Sequence, residues 1–134
     1  CAITPSGIQL CDLTKDNPNY ILKQVILAEK KLNKFIEEVK NEFNLENNQI
    51  CLSGFSQGCM MSINLGLISD QEYNCIVGFS GKIIDQQDLK LRKKVSTSTL
   101  LIHGDSDQVV SPNFLLEAKD FFIRSNKRIQ YSKH

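Results

Sequence analysis

Apolar residues fall into two rhythms along this chain. Over residues 20–43, Ile21, Val25, Leu32, Phe35, Ile36, Val39 and Phe43 recur at spacings of three and four, with Lys and Glu between them. That period predicts an amphipathic helix packed on a sheet. Three later runs, 50–55, 74–79 and 99–103, are short and unbroken, as strands covered on both faces are. Between them, 57–68 predicts a helix with Met60, Ile63, Leu67 and Ile68 toward a core. A charged stretch at 85–94 predicts a short surface helix. Residues 112–125 predict a helix carrying Phe114, Leu115, Ala118, Phe121 and Phe122. Residues 127–133 alternate, which fits a last strand near a sheet edge. Residues 1–19 are rich in turn formers, and 44–48 form a polar connector. Strands alternating with helices predict the α/β class, with a mostly parallel sheet and flanking helices.

Composition narrows the function only by exclusion. The 134 residues suit a single domain or part of one, with 41% hydrophobic and 23% charged residues. A net charge of +1 gives no electrostatic case for nucleic acid as a partner. No apolar run reaches the roughly 18 residues of a membrane span, and no signal peptide is visible. The five cysteines, Cys1, Cys11, Cys51, Cys59 and Cys75, form no C-x-x-C pair. Cys51 and Cys75 lie in strand-like runs and read as small buried hydrophobes. Reduced thiols and a cytoplasmic location are expected. A lipid-bearing Cys1 is the alternative for the N-terminus. Both ends read as cuts through a larger protein.

The chemistry concentrates where strands end. Gly54-Phe55-Ser56-Gln57-Gly58 follows one strand and opens a helix. A sharp strand-to-helix turn needs glycines where backbone meets backbone, and it lifts the serine hydroxyl above the carboxyl ends of the strands. The N–H of Gln57, at the helix start, is then a natural oxyanion donor. The plainer reading is a turn whose Ser56 caps the helix. After the third strand, His103-Gly104-Asp105-Ser106-Asp107 supplies two carboxylates. Either is available to orient a histidine base; the plainer reading is a turn in which Asp105 and Ser106 bond their own backbone, and both hold if Asp105 shapes the turn while Asp107 orients the base.

Together these motifs resemble the phospholipase/carboxylesterase family, whose members include carboxylesterases and acyl-protein thioesterases of the α/β-hydrolase fold. G-F-S-Q-G followed by Met60, and H-G-D-x-D-x-V-V at 103–110, carry the resemblance. Gly7-Ile8-Gln9-Leu10-Cys11-Asp12 is similar to the family's G-x-Q-W-F-D, with Leu10 and Cys11 replacing Trp and Phe. Gly78-Phe79-Ser80-Gly81 is similar to its G-x-S-G stretch. The resemblance implies a serine hydrolase cleaving small-molecule or lipid acyl esters or thioesters, with neither cofactor nor metal. Ser56 would be the nucleophile, Asp107 the triad acid and Gln57 N–H one oxyanion donor.

The same resemblance implies that 1–134 is a single, truncated domain. The family's first strands, with an H-G-x-G loop giving the second oxyanion donor, would precede residue 1. The chain has two histidines. His103 matches a structural position of the family. The family's base follows a Pro/Gly turn, which Tyr131-Ser132-Lys133-His134 lacks, so the base is expected past residue 134, with His134 as the alternative. An isolated chain would then be inactive. The competing reading is a non-catalytic remnant of such a hydrolase, inactive or with a binding role. Substrate chain length and oligomeric state are not legible in these residues.

Overall fold

The structure, a computed structural model, describes residues 17–125 and 129–133. The G-x-Q segment at 7–12, Cys1, Cys11 and His134 lie outside the described residues. Helix α1 spans Pro18–Phe43. It starts before residue 20 because the Asn17 side chain accepts the N–H groups of Asn19 and Tyr20, at 3.1 and 3.3 Å. Pro18 follows at the first helical position, where its missing N–H costs nothing. The helix stops at Asn44, which takes a left-handed φ of 53°. A 3-10 turn, Asn47–Gln49, replaces the end of the expected plain connector.

The rest alternates strand and helix. The order is β1 (Cys51–Phe55), α2 (Gln57–Ile68), β2 (Cys75–Phe79), α3 (Gln86–Arg92), β3 (Thr99–His103), α4 (Asn113–Ser125) and β4 (Ile129–Lys133). The strands lie in the order β1-β2-β3-β4, and every neighbouring pair is parallel. The alternating last strand sits at an edge, as its pattern predicts.

The core lies on one face of this sheet. Ile76 and Leu101 pack with Ile63 and Leu67 of α2, Leu89 of α3, and Leu115 and Phe122 of α4. Leu52 packs with Ile36 of α1 and Leu65 of α2 on that same face. Fully burying one such side chain is worth about 1.5–3 kcal/mol. Helix α2 lies in the middle and is buried from Gly58 to Leu67 on every side. The expectation of a single apolar face on it was therefore too narrow.

On the other face Cys51, Ser53, Phe55 and Phe79 are exposed, and Cys75, Val77, Leu100 and Ile102 are half-buried. The described helices all pack opposite them, so the expected two-sided cover holds on one side only among the described residues. This corrects the reading of Cys51 and Cys75 as buried: both sit on the uncovered face, and the buried thiol is Cys59. Phe35 and Phe43, expected on the inner stripe of α1, are also exposed.

One buried charge ties the helices together. Glu29 of α1 is 4% exposed. Its carboxylate accepts two bonds from the Arg92 guanidinium of α3, at 2.8 and 3.1 Å, and one from Asn64 of α2, at 3.0 Å. Arg92 also donates from Nε to Asp88, at 2.7 Å. Removing one partner of a buried pair strands the other in a poor solvent. Arg92→Met is expected to cost about 3–5 kcal/mol by that mechanism, read as a lowered midpoint in urea denaturation. A change within 0.5 kcal/mol, the range of ordinary surface substitutions, would mean that water already stabilises Glu29.

Candidate active site

The carboxyl ends of β1, β2 and β3 form one corner of the molecule. At β1 the chain turns directly into α2. A Cβ on Gly54 would lie 2.1 Å from the carbonyl carbon of Gly58 and 2.6 Å from Cys59 N. Only glycine fits there. The tight return forces Ser56 to φ 52° and ψ −115°, a region costing a non-glycine residue about 1–3 kcal/mol. Backbone bonds hold it: Ser56 N–H donates to Phe79 C=O at 2.9 Å, and Ser56 C=O accepts from Met60 N–H at 3.1 Å. Its hydroxyl makes no capping bond to the helix, so the helix-cap reading of the motif fails. Gln57 is the first residue of α2, which places its N–H in the first turn of that helix.

At the end of β3 the two carboxylates part company. Asp107 is half-buried and Asp105 is exposed. Asp107 Oδ1 accepts the N–H groups of Val109 and Val110, each at 2.9 Å. These two bonds, first Val110 and then Val109, hold its carboxyl below the usual range, and the Ser80 hydroxyl adds to the effect. Bracing of the turn, expected of Asp105, is seen here at Asp107.

Ser80 was legible only as part of the Gly78-Phe79-Ser80-Gly81 stretch, with no part in the site expected of it. It follows the last residue of β2, takes a positive φ of 48°, and donates its N–H to Ile102 C=O at 2.9 Å. It stands between Ser56, whose N–H bonds to Phe79, and the Asp107 carboxylate, which its hydroxyl reaches. Gly81 follows because a Cβ there would meet Cys59 Sγ at 2.4 Å. The available signal was a serine beside a glycine just past a buried strand, the same grammar as the Ser56 corner.

His103 is 1% exposed. Its Nε2 lies 2.8 Å from Val110 C=O. A carbonyl only accepts, so Nε2 carries a proton and is spent on that bond. Its 3.6 Å separation from Asp107 Oδ2 is beyond a hydrogen bond.

A parallel sheet with helices between its strands and a strained serine at a strand-to-helix corner defines an α/β-hydrolase fold. The chain belongs to the phospholipase/carboxylesterase family, whose model matches residues 5–134. Among relatives, acyl-protein thioesterase 1 of Yarrowia lipolytica is 28% identical over 126 residues, covering 92% of this chain and 55% of that protein. Among solved structures, esterase PE8 superposes with a TM-score of 0.83 at 28% identity, over 99% of this chain and 64% of that one. The Bacillus cereus carboxylesterase shares the fold with a TM-score of 0.68 at 18% identity, over 86% of this chain and 53% of that one. The chain thus spans between half and two thirds of the length of these proteins. Among the described residues no helix is long and apolar enough to cross a membrane.

The strain at Ser56 makes a measurable prediction. Ser56→Gly removes the penalty on positive φ and is expected to raise stability by about 1 kcal/mol. In a domain this size that is a melting temperature higher by about 4 °C, measured by calorimetry. A lower melting temperature would show that the Ser56 side chain is stabilising and the corner is not strained.

Proposed function

We propose that this chain carries the nucleophile, the acid and one oxyanion donor of a serine hydrolase acting on carboxylic esters or thioesters. The observation that carries the reading is the Ser56 corner. The backbone is held at φ 52° while the hydroxyl is left without a helix-capping bond. Structure that maintains strain around an uncommitted hydroxyl favours a role for that hydroxyl.

In this reading Ser56 Oγ attacks the acyl carbonyl, and the Gln57 N–H at the head of α2 stabilises the developing oxyanion. A histidine takes the serine proton, and its other ring N–H donates to Asp107, which fixes the tautomer and stabilises the imidazolium. That histidine is not His103, whose Nε2 is committed to Val110 C=O. The reading assigns the role to His134 or to a histidine in the rest of the protein. Ser80 steadies the Asp107 carboxylate. The exposed apolar side chains Phe55, Phe79 and Val109, next in sequence to Ser56, Ser80 and the Asp107 turn, favour a substrate with an apolar acyl group. The names of the relatives, a thioesterase and esterases, support the same bond class.

The test is labelling of the intact protein with a fluorophosphonate probe. Ser56 is expected to be the labelled residue, and Ser56→Ala is expected to lose the label together with about a millionfold in kcat. Label that survives the substitution would end the assignment, and an unlabelled but folded wild-type protein would favour a non-catalytic role. The two carboxylates separate in the same assay. Asp107→Asn is expected to keep the fold and lose about ten-thousandfold in rate through the wrong histidine tautomer, whereas Asp105→Asn is expected to lose less than tenfold, as an exposed residue outside the site. The reverse order would move the acid to Asp105.

A further inference from the structure

We propose that Cys51 and Cys75 form a covalent modification site: a dithiol that closes to a disulfide by exchange with a low-molecular-weight disulfide such as oxidised glutathione. Three observations carry this, none of them dependent on the hydrolase reading. The first is register, since Cys51 and Cys75 are direct partners at the start of β1 and β2. Neighbouring strands lie about 4.8 Å apart, inside the range of Cα separations, about 4.4–6.8 Å, that a disulfide spans. The second is side-chain placement. Both thiols project from the same face, and their sulfurs are 3.0 Å apart. Closing to a bond of about 2.05 Å requires a movement of about 1 Å. The third is access, because Cys51 is exposed, Cys75 is half-buried, and no described helix covers their face. Cys59 is the internal contrast: it is buried in the core, and loss of water around its sulfur pushes its pKa to about 12.

The exchange balances without any further reagent. A thiolate of the pair attacks one sulfur of oxidised glutathione, forming a mixed disulfide and releasing one glutathione thiolate. The second cysteine, deprotonated, attacks the protein sulfur of that mixed disulfide and expels the second glutathione. The two protein thiols are oxidised to one disulfide, and the glutathione disulfide is reduced to two thiols. Loss of water around the sulfur, together with the neighbouring Cys75 thiol, pushes the Cys51 pKa up to about 11. Closure is therefore expected to quicken as pH rises from neutral, because the thiolate is the attacking species. The bond would span the whole β1–α2–β2 unit and fix the strand that leads to Ser56 against the strand that leads to Ser80.

The experiment equilibrates the chain with defined ratios of reduced to oxidised glutathione, traps remaining thiols with N-ethylmaleimide and digests with chymotrypsin. Cleavage after Phe55, Tyr73 and Phe79 puts Cys51, Cys59 and Cys75 on three separate peptides. The expected product is a peptide pair linked through Cys51 and Cys75, lighter by two hydrogens than the sum of its reduced parts, with Cys59 still alkylated. Cys51→Ser is expected to remove the linked pair and leave Cys75 as a stable mixed disulfide with glutathione. Its far-UV circular dichroism is expected to stay unchanged, because residue 51 is exposed. Separate glutathione adducts on both cysteines of the wild-type chain, with no linked pair, would overturn the proposal. So would a link from either cysteine to Cys1, Cys11 or Cys59.

Discussion

The close approach of Gly54 to Gly58 is the constraint on which the corner of this molecule depends. Strand β1 runs into the first turn of α2 with no room for a Cβ at residue 54, where the nearest atom would be 2.1 Å away. A chain that must reverse in so short a space cannot keep every residue in a favourable conformation, and Ser56 takes the burden at φ 52°. The cost, about 1–3 kcal/mol, is of the order that a single buried aliphatic side chain recovers. Helix α2 offers several, among them Ile63 and Leu67, both fully buried. The core thus holds a corner that local preference alone would relax.

The same corner is tied sideways. Ser56 N–H bonds to the end of β2, and Ser80 N–H bonds to the end of β3. Three strand ends are therefore stitched together where parallel α/β sheets present their ligand sites. Cys59 fills the space behind the stitch. Its sulfur lies 2.4 Å from where a Cβ would stand on Gly78 or on Gly81, so two glycines and one small thiol form a single packing unit. A Cβ on Gly81 would also come within 3.1 Å of the Ser56 carbonyl oxygen.

Much of this was legible in the residues. The helix over Gln57–Ile68 and the strand over Thr99–His103 sit where periodicity put them, because short apolar runs and helical spacing are local signals. The start of α1 was read late because the Asn17 cap and Pro18 lie outside the apolar stripe that announced the helix. What the residues could not disclose is which side of the sheet the helices occupy. A run such as Cys51-Leu52-Ser53 reads as buried whether one face is covered or two. Its alternation of exposed, buried and exposed positions emerges only when α1 and α2 pack on the same side. The contacts of Ser80, seen in the sequence only as part of the Gly78–Gly81 stretch, were hidden for a related reason: its bonds run to Ile102 and Asp107, which are distant in sequence and adjacent only once β2 pairs with β3.

In the proposed assignment the Asp107 carboxylate serves fold and site together. Oδ1 is occupied by two backbone N–H groups that close the turn after β3. Oδ2 has His103 Nε2 at 3.6 Å, too far to bond, and His103 in turn donates to Val110, whose N–H Asp107 receives. Two backbone donors thus fix the orientation of the carboxylate, and His103 holds the carbonyl of one of those same residues. Because these donors stabilise the ionised form, the folded-state pKa lies below that of the unfolded chain. The stabilisation is fully present above the ordinary carboxylate value of about 3.9 and fades only as pH falls through the lowered one. An acid held ionised in this way cannot itself take up a proton near neutrality. It can orient and stabilise a neighbouring cation, which is the part a triad acid plays.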